Sequence, residues 1–265
     1  MGSSVKTSRE PVEYLRRVED FSLRPTFWTS AAYLSCLDLV EIQSDGKVWL
    51  EEDGRVLFPP ITQDGLYDTN SPEHIWAIPA TCYLNQLPPF RRCKFLDWEY
   101  LYRPSDFQDL SGGKWKVFRK NVRKWPNANP GCGYESIKDW TGRVKLSVFI
   151  DLIVKWLEGK PDIEIEDSEV IMKYLERMPG QAFGLFKKDK LVGVNIWDYS
   201  WMFVNFRYSF SDPEEPYLSE FLRLLFYQSQ TQMVNDGGSL GNPNLERFKD
   251  KLNPYRKSKI YSKGF

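Results

Sequence analysis

The chain has 265 residues, of which 42% are hydrophobic and 27% charged, the usage of a folded protein rather than a disordered one. Its formal net charge is zero, so a nucleic acid or an anionic membrane would have to be met by a local patch. No apolar run of about 18 residues could span a bilayer and the N-terminus has no apolar signal core, so we expect a cytoplasmic protein without a membrane partner.

Histidine and cysteine usage excludes several kinds of site. His74 is the single histidine, and the four cysteines are scattered without a Cys-x-x-Cys pair. Catalysis by a Ser–His or Cys–His pair would depend on His74, which has no nucleophile motif around it. We therefore expect reduced cysteines and no metal site. The sequence assigns no role to His74.

The first hundred residues predict helices, a hairpin and further strands. Residues 10–21 and 29–40 have the pattern of two helices separated by Pro25. In "KVWLEEDGRVLFPP" the Asp53-Gly54 pair lies between two apolar runs, which is a strong hairpin signal. Residues 60–92 give no clear pattern, and "CKFLDWEYLYR" predicts one or two strands.

A basic amphipathic helix is predicted over residues 115–125. Its apolar positions recur at helical spacing, at Trp115, Phe118, Val122 and Trp125. The opposite face is basic and consists of Lys116, Arg119, Lys120, Arg123 and Lys124. This face could clamp phosphates, or it could simply be solvated. The two tryptophans favour core packing over base stacking, and the same applies to the 15% aromatic content as a whole.

The remaining elements alternate helices and strands. Helices are predicted over "VKLSVFIDLIVKWLEG" and "DSEVIMKYLERM", with a loop at "NANPGCGYES" before them. A hairpin follows in "AFGLFKKDKLVGVNIWD", and then a strand in "SWMFVNFRYSF". Asp212 and Pro213 favour a helix start at residue 212, and "MVNDGG" predicts a short strand.

The stretch "DGGSLGNPNLERFKDKL" combines a glycine-rich loop with a helix. Gly237, Gly238 and Gly241 precede Asn242, a good cap, and Pro243 at the first helical position. Free amides at that helix start could hold an anion or a carbonyl oxygen, with Lys251 in the last turn as a further cation. The alternative is a tight turn that allows the last helix to fold back.

The order of elements suggests two related units. Each half has helices, then a hairpin, then further strands, with a change of character near residue 106. We therefore expect an α/β (α+β) fold of two units, 1–105 and 106–265, each with a mostly antiparallel mixed sheet flanked by helices. The second unit is expected to carry the active site.

Three stretches resemble a known family. Residues 99–125 hold a tyrosine-rich strand, a Leu-Ser-Gly-Gly-Lys turn and a basic run closed by Trp125. Residues 186–198 form the hairpin, and residues 234–262 hold a series of Asn, Gly, Leu, Lys and Pro; residues 31–59 are more weakly similar. Together they are similar to the tandem GNAT domain at the C-terminus of bacterial phosphatidylglycerol lysyltransferases. The resemblance implies two GNAT-like units, the first degenerate, and an acyl donor, either aminoacyl-tRNA or acetyl-CoA.

Two positions depart from the family pattern. Arg119 is followed by Lys120 and Asn121, where the family usually continues Arg-Asn-His. The loop expected to cradle the CoA diphosphate reads "SFSDPEEPYLSEF", without glycine and with three carboxylates ahead of Pro216. These carboxylates would repel a diphosphate, so the sequence favours an aminoacyl-tRNA donor over acetyl-CoA.

Acyl transfer to an amine needs an aligned acceptor, a route for the proton and donors for the oxyanion. The catalytic candidates are polar residues of the predicted strands, Asp236, Asn235, Asp198 and Asn205. The mixed strand face offers Trp201, Phe203 and Arg207 for acceptor binding. The basic helix face, the three glycines and Lys251 are the candidates for donor or phosphate binding.

The sequence thus predicts a soluble acyltransferase that moves an aminoacyl or acetyl group to an amine or hydroxyl. The acceptor could be a peptide, a small amine, or a DNA or RNA base. The alternative is a catalytically inactive GNAT-like module that binds nucleic acid or protein.

Overall fold

The computed structural model describes residues 5–68, 74–79, 93–137, 146–158, 173–174, 181–239 and 241–264. The strands within these ranges form one mixed sheet, in the spatial order β1-β2-β3-β4-β5-β12-β6-β11-β10-β9-β8-β7. Their bounds in chain order are β1 Lys6–Ser8, β2 Leu39–Ser44, β3 Lys47–Glu52, β4 Arg55–Val56, β5 Ile75–Pro79, β6 Cys93–Tyr102, β7 Gly133–Ser136, β8 Gln181–Lys187, β9 Lys190–Tyr199, β10 Val204–Ser211, β11 Val234–Asn235 and β12 Arg256–Lys263.

Helices flank this sheet. Those that we label are α1 Val12–Asp20, α2 Ala31–Leu34, α3 Lys116–Val122, α4 Lys124–Ala128, α5 Leu146–Glu158, α6 Leu218–Ser229 and α7 Pro243–Lys251. Short 3₁₀ turns lie at Pro104–Phe107 and Gly113–Trp115. All but two of the strand pairs in the sheet are antiparallel; β4–β5 and β10–β11 are parallel.

The sheet runs without a break across the expected boundary near residue 106. Strand β12, from the end of the chain, lies between β5 and β6 of the first half and is antiparallel to both. Strand β6 in turn pairs with β11 of the second half. The strands of the two halves are therefore hydrogen-bonded to each other at the centre of the sheet.

The predicted hairpins are confirmed. Residues 181–211 form three antiparallel strands, β8, β9 and β10. Asp53 and Gly54, with φ of 49° and 74°, make the turn between β3 and β4. The same chemistry at Asp45-Gly46, with φ of 50° and 75°, makes a further hairpin between β2 and β3. Both turns have positive φ at two consecutive residues, which Asp-Gly tolerates well.

Two helix predictions are wrong, one in the length of the helix and the other in its start. The helix predicted over 29–40 covers Ala31–Leu34 alone, and its last two residues, Leu39 and Val40, begin β2 instead. The helix predicted from Asp212 begins at Leu218, after Tyr217 with a left-handed φ of 65°. Asp212 instead accepts the backbone amide of Glu214, 3.1 Å away, in a local turn. Such a side-chain turn competes with the helix for the same amides.

The loop predicted over 127–136 ends in a strand, because residues 133–136 pair with β8 as β7. The helix predicted over 167–178 lies outside the described residues except for 173–174.

Aromatic residues contribute many of the largest side chains of the core between the sheet and its helices. Trp115 and Trp125, each 2% exposed, are core residues, as the helical pattern predicts. Phe107 stacks on Tyr227 at 4.3 Å, and Phe206 stacks on Phe226 at 4.0 Å. The rings thus hold α6 firmly against β10.

Candidate functional site

The candidate site lies where β10 and β11 separate. The two strands are paired only at their first residues, where Asn205 is opposite Asn235. Beyond that point β10 continues along β9 to Ser211, whereas the chain after β11 stays beside β6, where the Asp236 amide donates to the Tyr100 carbonyl at 2.9 Å. The divergence opens a V-shaped gap, which we call the splay. The backbone edge of β10 that faces it has no strand partner in the described ranges.

A β-bulge lies in β10 at the splay. Phe206 is opposite Trp197 of β9, and Tyr208 is opposite the next residue, Ile196, so Arg207 is an extra residue. Bulges re-aim a side chain and leave backbone groups outside the ladder. Phe206 packs on α6 and Arg207 reaches the opposite face, as strand alternation predicts. The bulge then keeps Tyr208 on the same face as Arg207, where its ring lies 5.5 Å from that of Tyr174.

On that face, Arg207 belongs to a buried network centred on Asp198. The Arg207 Nε donates to Asp198 Oδ2 at 2.6 Å, and both side chains are almost fully buried. Ser30 and Tyr174 each donate a hydroxyl to the same oxygen at 3.0 Å, and Asn205 donates its amide to Asp198 Oδ1 at 3.0 Å. Asp198 and Asn205 are predicted as catalytic residues and Arg207 as an acceptor-binding residue, and the structure connects all three by hydrogen bonds.

Two polar atoms of this network are unsatisfied within the described part of the chain. They are Oδ1 of Asn205 and Nη1 of Arg207. The residues themselves are 0% and 7% exposed. An acceptor and a donor buried without partners are costly unless a bound group or a water meets them. This pair is therefore the part of the site that is best prepared for a polar ligand.

A second buried pair lies next to this network. The Glu99 carboxylate, 0% exposed, accepts a hydrogen bond from Arg24 at 3.0 Å and the Phe27 backbone amide at 2.5 Å. Burial raises the pKa of Glu99, and Arg24, the Phe27 amide, Asn235 and Arg207 offset part of that effect. Asn235, at the point where the splay begins, thus lies next to the Glu99 carboxylate.

The opposite face of the splay carries a network centred on Asp236. Its carboxylate accepts hydrogen bonds from Arg223 and from Tyr227, the latter at 2.5 Å. Lys249 Nζ lies 3.3 Å from Asp236 Oδ1 and donates to the backbone oxygens of Asp236 and Gly238. Burial lowers the pKa of Lys249, while Asp236 acts in the opposite direction. Asp236 therefore has two cations and a phenol around it.

The glycine-rich loop forms the wall of the splay after β11. Gly237 has φ +58°, and a Cβ there would lie 3.1 Å from the Phe27 ring. At Gly238 a Cβ would lie 2.0 Å from Asp97 Oδ2 and 2.8 Å from the Trp98 carbonyl, whereas Gly241 has open space around it. Close backbone approach, rather than flexibility, therefore explains Gly238.

The start of α7 is capped by the protein itself. Asn242 Oδ1 accepts the amides of Asn244 and Leu245, at 2.9 and 3.1 Å, and Pro243 occupies the first helical position, as predicted. Two of the amides that could have held an anion are thus already occupied. The side chain of Lys251, at the other end of the helix, is exposed.

A segment that sequence analysis did not single out closes one face of the splay. It comprises residues 23–30, "LRPTFWTS". The Phe27 ring lies 4.3 Å from the Arg207 guanidinium and contacts Gly237, so it bridges the two sides of the gap. Ser30 caps α2 and also bonds Asp198 and Arg207. In the sequence, the available signals were Glu99 inside a mostly apolar strand and the Pro25-Thr26 pair. Neither indicates which residues of the other half this segment contacts.

The acceptor-binding candidates lie beside this segment. Trp201 is 40% exposed and donates its indole N–H to the Leu23 carbonyl at 3.0 Å. Phe203 is 4% exposed, and the Arg24 guanidinium lies 6.0 Å from its ring. Arg207 is the one of the three that lines the splay directly.

The acidic loop between β10 and α6 is neutralised by lysines of neighbouring elements. Asp212 is bonded by Lys155 and Lys190, at 2.8 and 3.0 Å, and Glu215 by Lys187 at 2.7 Å and the Trp125 indole at 2.9 Å. The carboxylates are thus part of the packing around α6. The backbone amides of Glu214 and Glu215 in this loop donate to Asp212 itself, at 3.1 and 3.0 Å.

The basic face of α3 and α4 does not touch these networks in the described residues. Lys116, Lys120 and Arg123 are exposed, while Arg119 bonds the Leu110 carbonyl and Lys124 lies 3.8 Å from the Tyr217 ring. These basic residues thus lie on the side of α3 and α4 that faces away from the side chains packed on α6.

A further cavity lies away from the splay. A surface cavity of about 500 Å³ is lined by Arg9, Leu34, Ser35, Leu37, Asp38, Leu39 and Val40, none of which belongs to the splay. Within the described ranges, no group of three His, Cys, Asp or Glu side chains is placed to hold a metal ion. No helix there is both long and apolar enough to cross a membrane.

Comparison with known proteins identifies the fold. No protein-family model and no curated protein matches the sequence. Among solved structures, a tandem GNAT protein from the clavulanic acid biosynthesis pathway superposes with a TM-score of 0.50 at 11% identity, over 98% of each chain. The chain therefore has the fold of two GNAT-like units in tandem, as predicted.

Two further solved structures have a similar fold. The C-terminal domain of a putative lysylphosphatidylglycerol synthetase from Agrobacterium fabrum gives a TM-score of 0.58 at 15% identity, over 96% of this chain and 92% of that domain. A conserved protein of unknown function from Bacteroides thetaiotaomicron gives 0.72 at 13% identity, over 98% and 99%. The predicted resemblance to the lysyltransferase domain is thus confirmed at the level of fold.

Proposed function

We propose that the protein is an acyltransferase that moves an aminoacyl or small acyl group from an activated donor to an amine or hydroxyl in the splay. The observation that carries this proposal is the splay itself, with the Arg207 bulge on one side and the buried Asp198 network below it. The tandem GNAT fold supports the same conclusion.

The open edge of β10 suits the acyl group. Its backbone amides are fixed by pairing with β9 on the other side, so they need no reorganisation to meet a developing oxyanion. A substrate held along this edge would place its carbonyl beside Arg207. The free Nη1 of Arg207 and the free Oδ1 of Asn205 then offer one donor and one acceptor for the incoming group.

The proton of the acceptor needs a route out of the site. Asp198 and Asp236 remain our candidates for it, one on each face of the splay. Asp198 shares its oxygens with hydroxyl groups of Ser30 and Tyr174, which could relay a proton. Asp236 is held by Arg223 and Lys249 instead, which favours a fixed counter-charge.

For the donor we favour aminoacyl-tRNA over acetyl-CoA. The loop at residues 209–221 has no glycine, and its Glu214 and Glu215 amides already donate to Asp212, so two of the amides that could hold a diphosphate are occupied. The tRNA contacts we propose are the basic face of α3 and α4 together with Lys251. The acceptor classes to be tested are peptides, small amines and nucleic-acid bases.

The direct test is a transfer assay with isotopically labelled donors. The protein is incubated with a pool of aminoacyl-tRNAs, or with acetyl-CoA, and a panel of amines, and the products are identified by mass spectrometry. We expect transfer that falls at least a hundredfold in Arg207→Lys, because lysine cannot keep both the Asp198 bond and the free donor. The control is Lys6→Ala, at an exposed position of the edge strand β1 and outside both the splay and the basic face.

The alternative is an inactive GNAT-like module that binds nucleic acid or protein. The observation in its favour is the paired state of Asp236 and of the acidic loop, together with Phe27 in the splay. Such a module would bind its partner equally well as wild type and as Asp198→Asn or Asp236→Asn, with no labelled product from any donor.

A further inference from the structure

The face of β6 and β12 that carries Tyr100 holds a group of three aromatic rings, of which Phe95 is exposed and Trp98 and Tyr261 are half-buried. The Phe95 ring is 5.3 Å from Trp98 and 6.5 Å from Tyr261, both at steep angles. Phe95 is 51% exposed, which is unusual for a phenylalanine in a central strand. A register slip opposite Leu96 brings Phe95 and Trp98 onto one side of the sheet.

Lysines of β12 lie beside these rings. Lys257 Nζ lies 4.7 Å from the Trp98 ring centroid and Lys259 Nζ lies 5.5 Å from it. The strand alternation places Lys263 on the same side, opposite Cys93. Two carboxylates face this group, Glu246 and Asp250 of α7, and both pair with Lys257. Lys259, which is exposed, has no carboxylate partner in the described residues. We call the three rings and three lysines the aromatic shelf.

The aromatic shelf is continuous with the wall of the splay. The Trp98 carbonyl lies against Gly238, and Asp97 accepts the Ser239 hydroxyl at 3.0 Å. A chain molecule lying along the shelf past Trp98 would therefore reach the glycine-rich loop. The shelf and the splay are neighbours on the surface, although their residues come from opposite ends of the sequence.

We propose that the aromatic shelf binds single-stranded nucleic acid. Exposed rings that stack on bases, with cations between them to meet phosphates, are the combination such strands require. A lipid surface would be served by the cations, but Phe95 is the one exposed ring of the shelf, so the apolar patch is small. The binding is inferred from the shelf alone, and only the idea that a bound 3′ end delivers a group to the splay rests on the proposed function.

The test is fluorescence anisotropy with 12-nucleotide single-stranded RNA and DNA probes, a duplex of the same sequence and free phosphate as competitor. The variants are Phe95→Ala and Lys259→Glu, both at exposed positions, with Lys6→Glu in the edge strand β1 as the matched control. Circular dichroism and thermal melting check that each variant is folded.

We expect saturable binding of single strands, about tenfold weaker in Phe95→Ala, and weaker still in Lys259→Glu with a smaller dependence on salt. Lys6→Glu should bind like wild type, and the duplex more weakly than either single strand. No binding by wild type, or binding that Phe95→Ala and Lys259→Glu leave unchanged, overturns the proposal. So does full competition by free phosphate, since that would mean an anion site without stacking. Binding without labelled transfer product supports the shelf and counts against the acyltransferase alone.

Discussion

Gly238 and Gly241 lie three residues apart in the same loop, yet they have different reasons to be glycine. At Gly238 a Cβ would overlap the Asp97 carboxylate and the Trp98 carbonyl, whereas at Gly241 only the positive φ of 72° opposes a side chain. We therefore expect Gly238→Ala to lower the free energy of unfolding by about 2–3 kcal/mol. Gly241→Ala should cost about 1 kcal/mol. Urea denaturation measures both, and equal costs would contradict the close packing at Gly238.

Asp198 is the residue on which the buried network depends. Removing its charge in Asp198→Asn leaves the Arg207 guanidinium buried without a counter-ion, which typically costs about 3–5 kcal/mol. Ser30→Ala removes one neutral hydroxyl and a helix cap, so it should cost about 1 kcal/mol. The two variants are compared by urea denaturation at pH 7. If Asp198→Asn is no worse than Ser30→Ala, then the guanidinium has another source of compensation.

At the scale of single elements, the loop between β10 and α6 makes the stability of the fold depend on pH in the acidic range. Burial raises the pKa of Asp212, but hydrogen bonds from Lys155, Lys190 and the Glu214 amide outweigh it, and the pKa is about 2 rather than 3.8. A carboxyl group with a lowered pKa stabilises the fold above about pH 4, and that stabilisation is lost as the pH falls towards about 2.

Asp212→Asn should therefore reduce stability at pH 7 by about 1 kcal/mol, after allowance for the exposed ends of the two lysines. It should also flatten the dependence of the melting temperature on pH between about 4 and 2. Asp189→Asn, in the exposed β8–β9 turn, is the matched control. A curve for Asp212→Asn as steep as that of wild type would mean that other groups cause the acid sensitivity.

At the scale of the whole molecule, β12 determines how the two halves depend on each other. It fills the position between β5 and β6, so a fragment of residues 1–105 would expose the unpaired edges of both strands. We expect fragments 1–105 and 106–265 to be unfolded or aggregated alone, and to regain a native circular dichroism spectrum when expressed together. Independent, cooperative melting of either fragment would instead support two autonomous domains with the boundary near 106.

Truncation before Arg256 tests the same coupling in one chain. Loss of β12 removes the strand that bonds both β5 and β6, so unfolding should become non-cooperative or begin well below the wild-type midpoint. Limited proteolysis should then cut first in the first half, because its core includes Ile260 from β12.

Local chemistry explains the elements that could be predicted from the sequence. Asp53-Gly54 specifies a turn through its own backbone preferences, and Asn242-Pro243 specifies a helix start through a cap and a fixed φ. The alternation in residues 181–211 and the helical spacing from Trp115 to Trp125 record burial directly. For this reason the three-strand unit and the polar candidates on β9, β10 and β11 are predictable, and so is the helical stretch from Trp115 to Trp125, which the structure divides into α3 and α4. The tandem GNAT fold was instead implied by the family resemblance.

Tertiary packing decided the remainder. Leu39 and Val40 have a helix-compatible pattern but pair with β3, because a strand neighbour offers them ladder bonds and burial together. Phe27, Ser30 and Arg24 reach the splay from a loop in the other half, and no sequence spacing encodes that distance. The sequence by itself determined which residue types could form the site and the turns around them. Only the folded chain decided that Asp198 bonds Arg207 while Nη1 of Arg207 and Oδ1 of Asn205 stay unpaired beside it. The physical reason is that burial and charge pairing depend on neighbours that are far apart in the sequence.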